Sequence, residues 1–126
     1  MSKKVVVVDD DREFLNELAD ALREGGYITS AFSDGNSALS MIERIRPDVV
    51  VVDLKMDRVS GFQVADKLSS NRATAGIPII AITGAFPEKE HSWAMTLCGI
   101  KKSLTKPFEP GQLMEEIEAV LNSKAS

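Results

Sequence analysis

Two runs of four valines, Val5-Val6-Val7-Val8 and Val49-Val50-Val51-Val52, each lead straight into aspartate. A continuous β-branched run with no polar alternation suits a strand covered by apolar layers on both faces, the situation of strands inside a parallel sheet. The first run ends in Asp9-Asp10-Asp11 and the second in Asp53. Acidic residues thus stand at the carboxyl ends of two buried strands, which constrains both the fold and the place where chemistry can occur.

The rest of the chain alternates in kind. After the first run, Phe14, Leu15, Leu18 and Leu22 recur at helical spacing, and Gly25-Gly26 stops the helix. Residues 27–32 read as a second strand. Asp34 caps a second helix bearing Ala38, Leu39, Ile42 and Ile45, which Pro47 ends. After Asp53 a loop runs to Ser60-Gly61, followed by a short helix with Val64, Ala65 and Leu68. Residues 71–76 carry only loop residues, and 77–82 read as a fourth strand. Pro87 opens a fourth helix with Trp93, Ala94, Leu97 and Cys98 inward, closed by Gly99. Residues 102–105 read as a weak fifth strand. Pro110 opens a last helix through Leu113, Met114, Ile117, Val120 and Leu121, leaving 122–126 as a frayed tail. Strand followed by helix, five times over, predicts one α/β domain over residues 1–126: a flavodoxin-like, doubly wound, five-stranded parallel sheet with five helices.

In such sheets ligands bind outside the carboxyl ends of the strands, where the strand order reverses. The commonest order, 2-1-3-4-5, sets strand one beside strand three and brings Asp9, Asp10 and Asp53 together. Three converging carboxylates repel, and a divalent cation relieves the repulsion; Mg²⁺ prefers oxygen ligands, keeps waters and tolerates few carboxylates. Strand four ends in Thr83-Gly84, which offers a hydroxyl. Strand five ends in Lys106-Pro107, and a lysine stem reaches across two strands to place its ammonium beside Asp53.

At this point the chain resembles the receiver domain of response regulators, over essentially its whole length. The matching pieces are Val7-Val8-Asp9-Asp10, Asp53-Leu54 with Met56 and Gly61 downstream, Thr83-Gly84, and Leu104-Thr105-Lys106-Pro107-Phe108. The order 2-1-3-4-5 is itself a property of that family. The resemblance implies that Asp53 accepts a phosphoryl group from a histidine kinase or histidine phosphotransfer protein in a two-component phosphorelay. It further implies that Asp9, Asp10, Asp53 and the backbone carbonyl of Lys55 hold Mg²⁺. Lys106 would hold the phosphoryl group, Thr83 would swing toward it, and the Lys106-Pro107 bond would be cis. The implied protein is a switch and not a dedicated enzyme, with phosphorylation and dephosphorylation both catalysed by the domain at Asp53. Its output goes to a protein effector or to an output domain outside this chain.

Three positions depart from the family pattern. Ser103 stands where an aromatic residue is common, Asp57 replaces the proline common four residues after the acceptor, and Lys55 is long and charged. Lys55 also opposes an aspartate-nucleophile phosphohydrolase, which needs a second Asp at that position. A pure interaction module of the same fold is opposed by the full set Asp9, Asp10, Asp53, Thr83 and Lys106.

Composition narrows the rest. A formal net charge of -4 over 126 residues lacks the basic face that a nucleic-acid backbone rewards, so no direct nucleic-acid contact is expected. The single cysteine, Cys98, forms no intrachain disulfide and reads as a small core residue; one histidine, His91, makes a zinc site improbable. The N-terminal valines stop too soon for a signal peptide, and no stretch is long enough to span a membrane. A cytoplasmic location is the expectation.

Overall fold

The computed structural model describes residues 2–84 and 94–125. In chain order these form β1 (Lys4–Val8), α1 (Arg12–Glu24), β2 (Ile28–Phe32), α2 (Gly35–Ile45), β3 (Val49–Asp53), α3 (Gly61–Ser70) and β4 (Ile79–Thr83). A fourth helix, α4, is described over residues 94–97, and β5 (Ile100–Thr105) and α5 (Pro110–Ala125) complete the chain. The five strands are parallel in the order β2-β1-β3-β4-β5, as the sequence predicts.

The valine runs explain the layering. Successive strand residues face opposite sides, so Val6, Val8, Val50 and Val52 pack under α2 and α3 while Val5, Val7, Val49 and Val51 pack under α1 and α5. All eight are at most 1% exposed, so neither face of the central strands can take a polar residue before the strand ends. The first polar positions after this core are Asp9 and Asp53, at the same edge of two paired strands.

The helices start where their caps dictate. Asp11 accepts from the Phe14 amide, Asp34 from the Ser37 amide, and Ser60 and Gln63 close a reciprocal capping box at α3 that the sequence reading did not single out. Because Asp11 serves as the cap, Asp9 and Asp10 are left for other work.

Some boundaries and faces differ from expectation. β5 starts at Ile100, two residues early, because a bulge opposite Ile79 and Ile80 lets buried Ile100 pair before the exposed lysines that obscured the strand. α5 continues through Asn122 to Ala125, where fraying was expected; no glycine or proline follows Leu121 to break it. In α4 the inward stripe is Met95 with half-buried Cys98, and Leu97 is 64% exposed instead of inward. Ala85, Phe86, Pro87, His91 and Trp93 lie outside the described residues. Among the described residues no helix is long and apolar enough to cross a membrane.

Candidate functional site

The carboxyl edge of the sheet gathers the expected residues. One carboxylate oxygen from each of Asp9, Asp10 and Asp53 lies within 4.8 Å of the others. Asp9 and Asp53 are buried and Asp10 is exposed, so the cluster is walled below and open above. Each acid is held by a main-chain amide: Asp9 Oδ1 accepts from Asp11 at 3.0 Å, Asp53 Oδ1 from Lys55 at 3.1 Å, and Asp10 Oδ2 from Asp57 at 2.9 Å. An all-oxygen donor set of this size suits a hard divalent cation such as Mg²⁺.

Lys106 reaches across β4 as expected. Its Nζ lies 3.0 Å from Asp9 Oδ2 and 3.4 Å from Asp53 Oδ2, so one ammonium bridges both buried acids. Burial, resisted by the Lys55 amide bond, raises the Asp53 carboxyl above its ordinary value, and the Asp9 charge pushes the same way. Burial works against the Lys106 cation, but the bonds and charges of Asp9 and Asp53 outweigh it and raise the lysine. The main chain at Lys106 is tied to the neighbouring strand, its amide donating to the Thr83 carbonyl at 2.8 Å. The Lys106-Pro107 bond is cis.

Thr83 is buried at the end of β4, one residue past Ile82, the register partner of Asp53. Lys55 has an exposed side chain, and its amide turns back to Asp53. Ser103 is half-buried on β5 opposite Ala81, so no ring occupies that position.

Two residues have contacts that the sequence reading did not give them. Phe14, taken there as part of an apolar helix stripe, stands in the first turn of α1, and Lys106 Nζ lies 4.2 Å from its ring centroid. Phe108 steadies that ring edge-to-face, with centroids 5.8 Å apart. A cation–π contact of a part-buried lysine is worth about 1 kcal/mol. Phe14→Leu is therefore expected to slow phosphoryl uptake about fivefold, and Phe14→Tyr to stay near wild type. Equal rates for all three, from a time course with a small phosphodonor, would remove Phe14 from the site. The second is Gly61. A Cβ there would press on the Asp53 carbonyl oxygen, 2.7 Å from Leu54 Cα and 2.8 Å from the Asp53 carbonyl carbon. The start of α3 thus rests directly on the backbone of Asp53 and Leu54.

A cavity of about 700 Å³ lies at the opposite end of the sheet between Ile77, Pro78, Lys102 and Val120. No carboxylate lines it, so it is separate from the acid cluster.

Comparison with known proteins agrees with this geometry. Residues 5–118 match the response regulator receiver domain family. The DNA-binding response regulator MtrA of Mycolicibacterium paratuberculosis is 31% identical over 121 residues, covering 96% of this chain and 52% of MtrA. This chain thus spans about half the length of such curated relatives. Among solved structures, a CheY-like receiver domain protein from Methanospirillum hungatei superposes with a TM-score of 0.90 at 25% identity, covering 99% of this chain and 98% of that one. Vibrio cholerae chemotaxis protein CheY4 gives 0.90 at 26% identity, with 95% and 99% covered.

Proposed function

The chain belongs to the response regulator receiver family of two-component systems, and on that premise we propose that Asp53 is its phosphoacceptor. The observation that carries the reading is the single ammonium of Lys106 bridging buried Asp9 and Asp53 beside the exposed Asp10. An oxygen of Asp53 forms a bond to phosphorus as the bond from phosphorus to the donor's histidine nitrogen breaks, and the electron pair leaves with that nitrogen. Lys106 then follows the charge from the carboxylate onto the phosphoryl oxygens. Thr83, at the end of the intervening strand, supplies the hydroxyl that binds the modified side chain. Asp9, Asp10, Asp53 and the Lys55 carbonyl would hold Mg²⁺, which when bound neutralises negative charge on the acids and the transferring group. Hydrolysis of the acyl phosphate resets the switch, by the same domain.

In this reading residues 1–126 act as one receiver domain in the cytoplasm. The phosphodonor is a histidine kinase or histidine phosphotransfer protein, and the effector is a protein or an attached output domain. The acidic net charge supports a domain that does not itself touch nucleic acid, even though MtrA and similar relatives are DNA-binding regulators. The test is incubation with a small phosphodonor and Mg²⁺, followed by mass spectrometry of the peptides. One phosphate on Asp53, absent when Mg²⁺ is chelated, supports the reading; no label, or label on another residue, overturns it.

The metal part has its own expected result. Removing one negative charge from the cluster weakens cation binding and relieves repulsion. Asp10→Asn is expected to lower Mg²⁺ affinity about tenfold while leaving the metal-free protein as stable as wild type or more so. The rise in Tm on adding Mg²⁺ measures both, and an undiminished rise in the variant would exclude Asp10 as a ligand.

A further inference from the structure

Resting on the reading that the acid cluster takes a divalent cation, we propose that the backbone amide of Asp57 is a positioning group for that cation site. The three acids are not held alike. Asp9 and Asp53 are buried, and each takes an amide from two residues further along its own loop together with the Lys106 ammonium. Asp10 is exposed, and it accepts from the Asp57 amide, 47 residues away on the loop between β3 and α3. Without that bond Asp10 is free to turn into solvent, and a cation binding there must pay the ordering of the side chain.

The bond holds the carboxylate through Oδ2, and an oxygen with two lone pairs can accept one hydrogen bond and still coordinate. It also crosses from the β1–α1 loop to the segment carrying Lys55, whose carbonyl is the remaining ligand in the proposed site. One hydrogen bond therefore couples the two halves of the cation shell. Asp57 N–H exists only because position 57 is not proline, the residue common there in the receiver pattern. The same segment is pinned at its other end by Arg58, at a φ of 66°, and by the Asp57 carbonyl accepting from Val59. The amide is thus presented by a defined turn, with its side chain exposed and not required for the contact.

The experiment compares Mg²⁺ affinity by calorimetric titration in wild type, Asp57→Ala, which keeps the amide, and Asp57→Pro, which removes it. Asp57→Ala is expected within about twofold of wild type and Asp57→Pro about fivefold weaker, near the net worth of one ordinary hydrogen bond, as suits an exposed one. A purely structural bond would instead lower Tm and leave the affinity unchanged. Amide exchange at Asp57 in wild type serves even if the proline variant misfolds: exchange should slow further with Mg²⁺ bound, and Asp10→Ala should remove its protection. Equal affinities in the alanine and proline variants, or exchange at Asp57 indifferent to Mg²⁺ and to Asp10→Ala, overturns the proposal. Absence of Mg²⁺ binding by wild type would instead overturn the cation reading on which it rests.

Discussion

Replacing Asp53 by alanine is expected to abolish phosphate uptake and, in the same protein, to stabilise the metal-free fold. The first effect follows from the chemistry. Asp9 is buried against the same lysine, but Asp53 supplies the nucleophilic oxygen in the proposed reaction, so at least a hundredfold loss of labelling is expected. The second follows from electrostatics. Two like charges within 4.8 Å repel by roughly 3–4 kcal/mol at an effective dielectric near 20. Lys106 offsets much of this, leaving a net gain of about 1 kcal/mol when the buried charge is deleted. For a domain of this size that is a Tm increase of roughly 3–5 °C without Mg²⁺. The pH dependence has a definite sign. Burial raises the Asp53 carboxyl in the folded state, so the fold is best served by its protonated form. That contribution is fully present below the ordinary carboxylate range and is lost as pH rises through the raised value. The stability gap between variant and wild type should therefore open from about pH 4 toward neutrality. Chemical labelling and thermal melts at several pH values check both halves. Labelling that persists in Asp53→Ala, or a variant less stable than wild type at neutral pH, would contradict the assignment.

The reach of sequence reasoning here followed from where single residues carry unambiguous physics. The valine runs admit one environment, a strand covered on both sides, and they set the sheet, its layers and the level at which Asp9 and Asp53 emerge. Asp11 was recognisable as a cap, which separated it from its two acidic neighbours. Lys106 before proline at the end of the fifth strand was legible through its reach, although that strand was obscured by exposed Lys101 and Lys102. What stayed hidden needs three dimensions. Phe14 satisfies the apolar period of α1 and looks like core; only the docking of the helix end beside β5 puts its ring under the lysine. The Asp57 amide has no side-chain signature at all. In α4, a three-residue period fits several faces, and the sheet edge selected Met95 over Leu97.

Gly61→Ala is the substitution expected to do most harm to the fold at the least chemical change. The backbone at Gly61 is not in the left-handed region, so alanine meets no φ penalty. A glycine-to-alanine change near a helix start would ordinarily be neutral or mildly favourable. Space decides otherwise. The new methyl would meet backbone atoms of Asp53 and Leu54, and these belong to the central strand and its first loop residue. Backbone cannot rotate aside as a side chain does, so either α3 lifts from the strand or the strand end moves. Overpacking of this kind costs about 2–3 kcal/mol, a fall in Tm of roughly 10 °C. Gly111, in the first turn of α5 with nothing near its Cβ position, is the internal control, and Gly111→Ala should melt within about 2 °C of wild type. The displacement also falls on Asp53, the proposed acceptor. At a temperature where both proteins are folded, Gly61→Ala should take up phosphate at least tenfold more slowly, because the Asp53 carboxylate no longer aligns with Lys106. Thermal melts with labelling time courses for the two variants separate the effects. A Gly61→Ala protein as stable as wild type would show that the approach of α3 to the acceptor strand is slack; a destabilised one that labels at the wild-type rate would show that the strain is relieved away from Asp53.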